Sequence, residues 1–237
     1  MQYFYTSNIK GNHAILEAEE AAHCAQVLRK RPGDPINLVD GRGNWYQGIL
    51  TESHRKKCIV EIRDSRAEVL PHTAKIHIAI APTKNINRLE WFLEKATEIG
   101  IHRITPILCQ RSERKKIRND RLEKILLAAM KQSLKATLPI LDELQPFDNW
   151  ITDLSVEENT QKFIAYCNEE NRLPLQTTYK AGNDVLLLIG PEGDFHPNEV
   201  KAAKAAGFTG VSLGPSRLRT ETAGIVGCHT LNLKNFS

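Results

Sequence analysis

Two short segments carry residue types able to do chemistry. The first is Ile189-Gly190-Pro191-Glu192-Gly193, which ends an apolar run from Val185. The second is Leu213-Gly214-Pro215, followed by Arg217-Leu218-Arg219-Thr220-Glu221-Thr222-Ala223. A Gly-Pro pair is stiff and exposes backbone groups, which suits an adenine or ribose held by main-chain hydrogen bonds. Neither segment has the spacing and lysine of a P-loop, nor G-x-G-x-x-G, so a nucleoside triphosphate is not indicated. For either loop alone, a tight turn with no ligand is an equal reading. Thr220 can cap the helix that starts there and Glu221 can occupy its first turn, which is a purely structural role. That role does not account for Arg217 and Arg219 just before the cap. A guanidinium beside a helix N-terminus makes a place for an anion, or for charge developing in a transition state. No Ser-His-Asp arrangement and no metal constellation is legible, and His229, beside Cys228, reads as packing.

The elements that must position these segments form one βαβ unit. Residues 185–189 read as a strand buried on both faces. Pro197 suits a first helical position, Glu199 the first turn and Gly207 the stop. A second strand over 210–213 follows. The unit predicts two strand exits side by side, and ligands bind at such carboxyl ends. Upstream, strands over 76–81 and 104–108 alternate with helices over 88–99 and about 120–135. Asn87 is the expected cap of the former, with Glu90 completing a capping box. A strand over 163–166 and a last helix over about 221–233 complete the pattern. This alternation predicts a parallel sheet with helices on both faces. Residues 1–70 differ. Strands over 36–39, 45–50 and 58–62, with one helix over 18–28, suggest a small barrel. Pro71 lies in the expected linker, and 143–161 shows no clear pattern.

The chain of 237 residues, 41% hydrophobic, suffices for one large domain or two modest ones. No apolar run approaches membrane-spanning length, and the N-terminus lacks a signal-peptide pattern. Five scattered cysteines form no C-x-x-C pair, and the reducing cytosol is the expected compartment. Net charge is only +4, but it is clustered in Arg29-Lys30-Arg31, His54-Arg55-Lys56-Lys57 and the stretch from Arg111 to Arg121. Any one run is more simply a solvated face; three together point toward a nucleic-acid partner.

The two segments, in this order, closely resemble the ribosomal RNA small subunit methyltransferase E family of the SPOUT, or α/β-knot, superfamily. The resemblance covers the whole chain. His23, Val27-Leu28-Arg29, Gly33-Asp34 and Asp40-Gly41 resemble the family's PUA-like N-terminal domain. Lys95 to Gly100, Pro106, Arg111-Ser112, Gln132-Ser133 and Pro139 resemble its middle signature. Asp194 stands where a third Gly is usual, Ser216 where Arg is frequent, and Arg217 where an aliphatic residue is frequent.

The resemblance implies an α/β chain with a PUA-like RNA-binding β-barrel domain (1–70) and a C-terminal SPOUT trefoil-knot methyltransferase domain (71–237). It implies a cytoplasmic homodimer, paired through the knot domain. The reaction implied is methyl transfer from S-adenosyl-L-methionine to N3 of a uridine in 16S rRNA, within the assembled small ribosomal subunit. The cofactor would be held by Ile189, Gly190, Pro191, Glu192, Gly193, Leu213, Gly214, Leu218, Thr220, Thr222 and Ala223. Arg219 is then the expected holder of negative charge on the uridine, and Glu221 the weaker expectation for a base. Arg29, Lys30 and Arg31, helped by Arg111, Arg114 and Lys115, are expected to meet RNA.

Overall fold

The computed structural model describes residues 2–70, 72–167 and 173–236. The chain divides into two compact units: Met1–Leu70 with Leu127–Leu138, and Pro71–Leu126 with Pro139–Ser237.

The first unit is a six-stranded sheet formed by β1 (Phe4–Tyr5), β2 (Ile9–Lys10), β3 (His13–Glu17), β4 (Pro35–Val39), β5 (Asn44–His54) and β6 (Lys57–Ala67). The order is β1-β4-β5-β6-β3-β2, antiparallel except where β1 meets β4. Alternation places Leu16, Ile36, Leu38, Leu50 and Val60 in one core. The helix expected over 18–28 is a short α1 (Ala18–Ala22) running into a π-helical turn at His23–Val27; Ala21 and Cys24 join the core. Burial pushes the Cys24 thiol up to about 12, so it stays protonated and packs as a small apolar group.

The second unit begins with β7 (Ile76–Ile80), α2 (Ile86–Ile99), β8 (Arg103–Leu108) and the start of α3 (Asn119–Gln132). It continues through β9 (Ile140–Leu141), β10 (Gln145–Pro146), α4 (Phe147–Thr152), β11 (Gln161–Ala165), β12 (Leu173–Pro174) and α5 (Leu175–Thr178). It closes with β13 (Val185–Ile189), α6 (Pro197–Ala205), β14 (Thr209–Ser212) and α7 (Thr220–Asn235). Every pairing in its eight-stranded sheet is parallel, in the order β10-β8-β7-β13-β11-β14-β12, with β9 beside β8.

One expectation is corrected here. The exits of β13 and β14 are not adjacent, because β11 lies between them and pairs with both. The strand that separates them comes from earlier in the chain, so the local βαβ pattern carried no trace of it. The start of α2 is also corrected. Asn85 is the cap, accepting from Asn87 N at 3.1 Å, and Glu90 instead pairs with Arg121. At α6 the expected punctuation is present: Pro197 opens the helix, Glu199 lies in its first turn and Gly207 (φ 87°) follows its end; the reciprocal capping box of His196 with Glu199 was not expected.

α7 packs against α2, β7 and β13. The approach is close. A Cβ on Gly224 would lie 2.6 Å from Phe92, and one on Gly227 would lie 2.4 Å from Leu187. His229 on this helix is exposed, so the packing role expected for it is not observed; its neighbour Cys228 is the buried one. Among the described residues, no helix is long and apolar enough to cross a membrane.

Candidate active site

The carboxyl ends of β13, β11 and β14 open onto a cavity of about 650 Å³. Its walls are residues 165–167, 189–194 and 211–220, with Ala223. Both Gly-Pro segments are therefore walls of one space. Of the expected cofactor residues, Ile189, Gly190, Pro191, Glu192, Gly193, Leu213, Gly214, Leu218, Thr220 and Ala223 line it; Thr222 does not. The third wall, Ala165-Tyr166-Cys167, was missed from sequence because β11 shows only a short apolar run ending in no turn signal.

Thr220 joins the first two walls. It is 4% exposed and donates its hydroxyl to Gly190 O at 3.0 Å. This corrects its expected role as helix cap: the N-cap is Arg219, with no side-chain capping bond, and Thr220 is the first helical residue. Asp194 joins the first wall to the third. Its backbone is left-handed (φ 62°), a conformation Asp tolerates better than most residues. Its carboxylate accepts from Cys167 N and from Phe195 N, both at 2.9 Å. Glu192 Oε1 accepts from Lys84 N at 2.9 Å, and its other oxygen has no partner among the described residues.

Glycine keeps the space open. A Cβ on Gly190 would come within 3.0 Å of the Phe195 ring, whereas nothing lies within 4 Å of one placed at Gly214 (φ 133°). Backbone groups at 190, 193 and 214 can thus approach a ligand closely. The cavity falls in the ~300–1,000 Å³ range of small-molecule sites. A nucleoside with a short polar tail, gripped by main-chain groups from three strand ends, suits it.

Arg217 and Arg219 line the mouth. Both are exposed, with no ion-pair partner among the described residues. Glu221 is absent from the lining and only 6% exposed. It faces Arg88 on α2 (Oε1 to Nε 3.8 Å), not Arg219, and its second oxygen has no partner among the described residues.

The basic residues divide in two. In the first unit, Arg29 and Arg31 are exposed, Arg29 with left-handed backbone (φ 51°), and Lys30 is half-buried. The side-chain nitrogens of all three have no partner among the described residues. In the second unit, Lys115 is exposed, but Arg111 and Arg114 donate to backbone carbonyls: Arg111 to Gly193 and Phe195, Arg114 to Thr83 and Lys84.

The family model for an RNA methyltransferase domain matches residues 70–232, and that for an RNA methyltransferase PUA domain matches residues 16–63. A curated relative, ribosomal RNA small subunit methyltransferase E of Bacillus subtilis, is 27% identical over 88% of this chain and 85% of its own. A solved probable rRNA-methyltransferase from Porphyromonas gingivalis is 43% identical, with a TM-score of 0.89, over 98% of this chain and 99% of that one. A Legionella pneumophila protein solved in complex with bound cofactor SAM is 26% identical, with a TM-score of 0.83, over 98% and 96% of the two chains.

Proposed function

This chain belongs to the RNA methyltransferase family, in its ribosomal RNA small subunit methyltransferase E group with the SPOUT α/β fold and a PUA-like domain, and on that premise we propose that it methylates N3 of a uridine in 16S rRNA. The observation that carries the reading is the cavity at the strand ends, walled by both Gly-Pro segments and opening at Arg219. S-adenosyl-L-methionine, when bound there, supplies an electrophilic methyl group; a relative with the same fold holds that cofactor. The residues that would hold it are the backbone of Ile189, Gly190, Pro191, Glu192, Gly193, Leu213 and Gly214, with Leu218, Thr220 and Ala223 closing the far side.

Uridine N3 carries a proton and is a poor nucleophile until that proton leaves. The enzyme must stabilise negative charge on the base and position N3 for transfer. Positioning alone removes much of the entropic barrier of a bimolecular step. The Arg219 guanidinium lines the cavity with no ion-pair partner among the described residues, which supports the reading that it holds the developing charge on the uridine carbonyl. Glu221 is the weaker candidate for the base: it lies outside the cavity lining, one of its oxygens has no partner among the described residues, and reaching the uridine requires a swing away from Arg88. Arg29, Lys30, Arg31 and Lys115 supply phosphate contacts, which position RNA without reading its sequence. The target base has to leave any stack to enter the cavity. Two copies pair through the second unit, a reading supported by the outer face of α7, where Ile225 and Val226 are half-buried and Leu233 is exposed. The substrate is the assembled small subunit in the cytoplasm.

Mass spectrometry of 16S rRNA nucleosides from a deletion strain tests the reaction. Loss of 3-methyluridine, restored by the intact gene, is expected. Unchanged 3-methyluridine with a methyl group missing from tRNA or from a ribose 2′-oxygen would overturn the assignment. Arg219→Ala is expected to lower turnover by about 100-fold or more, as for loss of an oxyanion donor, with cofactor affinity nearly intact in calorimetry. Full residual turnover would remove Arg219 from the mechanism.

A further inference from the structure

The loop between β8 and α3 carries the densest basic run of the chain, yet its first two arginines face inward onto backbone. Arg111 Nη1 donates to Gly193 O at 2.9 Å and to Phe195 O at 3.3 Å. Its stem lies along Gly193, with Cβ and Cδ 3.5 Å from where a side chain there would begin. Arg114 donates from Nε to Thr83 O at 3.0 Å and from Nη2 to Lys84 O at 2.7 Å. Lys84 N in turn donates to Glu192. The loop is itself anchored: Gln110 N donates to the buried Glu199 at 2.8 Å, and Ser112 closes a turn on Cys109. One well-tied loop thus holds the cofactor wall at two places, directly at 193 and 195 and through Lys84 at 192.

We propose that Arg111 and Arg114 are positioning residues for the cofactor cavity, fixing its 192–194 wall and the adjoining Phe195 through backbone carbonyls, while Lys115 and Lys116 on the same loop make the outward RNA contacts. The carbonyl bonds occupy Nη1 of Arg111 and Nε and Nη2 of Arg114, which fixes how each guanidinium is held and leaves only part of its five-donor fork for a phosphate. Lys115 and Lys116 are exposed, with no partner among the described residues. The cofactor part of this proposal rests on the methyltransferase reading above; the bracing part does not.

Hydrogen exchange tests the brace without any ligand. Asp194 N and Phe195 N are bonded within the wall, to Pro191 O and to the Asp194 carboxylate. In Arg111→Ala, exchange at these amides should quicken about tenfold relative to the rest of the sheet, as expected for loss of a charge-assisted bond. Arg111→Lys, which keeps one donor and guards against general misfolding, should restore part of the protection. In turnover assays Arg111→Ala should raise the KM for S-adenosylmethionine about tenfold with a smaller change in kcat. Its RNA affinity should keep the wild-type salt slope, whereas Lys115→Ala should flatten that slope by about 0.7–0.9. Unchanged exchange at 194 and 195 in Arg111→Ala, together with a flattened salt slope, would overturn the proposal and make Arg111 an RNA ligand. If the wild-type protein binds no S-adenosylmethionine, the methyltransferase reading fails, and exchange alone still decides the brace.

Discussion

Asp194 shows how a departure from an expected sequence pattern becomes legible only in three dimensions. At a left-handed position glycine is the easy choice, and a side chain there costs about 1 kcal/mol, less for Asp than for most. The carboxylate offsets that strain by accepting from its own neighbour's N–H and from Cys167 N, 27 residues upstream. Nothing in the local sequence could name that second partner. Asp194→Gly should relieve the strain but lose both bonds, each contributing about 1 kcal/mol at this half-buried place. Asp194→Ala should keep the strain and lose the bonds. The expected order of stability is therefore wild type, then Gly, then Ala, with Ala lower by about 2–3 kcal/mol in urea denaturation. An Ala variant as stable as the Gly variant would show that backbone conformation carries no cost here. Thr220 teaches the same lesson. Its type and place before a helix suggested a cap, but its hydroxyl is engaged 30 residues away, at Gly190 O.

Elements were more legible than their neighbours in space. The apolar run of β13 and the caps of α6 declare themselves, because they depend on residues within a few positions of one another. Strand order does not, since β11 enters between β13 and β14 from outside their βαβ unit. The amino end of the sheet holds another element-level feature. His77 on β7 lies 2.7 Å from Thr105 Oγ1 on β8, and Thr105 donates to Asp142, which Arg103 grips at 2.8 Å through two nitrogens. Since the Thr105 proton goes to Asp142, His77 must donate through Nε2. Burial, aided by the Arg103 charge, holds the imidazole at about 4 against an ordinary 6.5. Below pH 6.5 the unfolded chain takes up this proton before the folded one does. Stability is therefore intact above pH 6.5 and falls as pH drops toward 4, by on the order of 3 kcal/mol from this group. His77→Gln, which keeps a donor near Thr105 and does not titrate, should remove that slope in urea titrations between pH 4 and 6.5. Asp142 adds its own loss only lower: burial opposes its ionisation, but bonds from Arg103 and Thr105 outweigh this and hold its carboxyl below 3.8. An unaltered slope in the glutamine variant would assign the pH dependence to other groups.

At the scale of the whole molecule, the pattern of elements separated a β-rich first part from an alternating second part, but it could not allot α3. Leu122 and Leu126 belong to the second unit, whereas Met130, with Ala136 beyond the helix end, packs with Tyr3 and Val39 in the first. A single amphipathic stripe serves two cores, and periodicity reports the stripe without saying what covers each part of it. Net charge has the same weakness. The sum of +4 hides which cations are available to a polyanion. Arg118 is paired with Asp120, Arg103 with Asp142 and Lys131 with Glu20, while Arg111 and Arg114 hold carbonyls. Among the cations expected to meet RNA, Arg29 and Arg31 are exposed in one unit with half-buried Lys30 between them, and Lys115, Lys116, Arg217 and Arg219 are exposed in the other; Arg55, Lys56 and Lys57 are exposed as well. Each phosphate neutralised contributes about −0.7 to −0.9 to the slope of log affinity against log salt. If both of those sets of RNA-facing cations, seven in all, meet one RNA, the slope should be about −5 to −6. Arg29→Ala with Arg31→Ala, and separately Lys115→Ala with Lys116→Ala, should each flatten it by about 1.5, and the combined variant by about twice that. Filter binding to small subunits across a salt series measures this. A slope that responds to the second unit alone would mean that the PUA-like unit reads the subunit by some means other than phosphate contact.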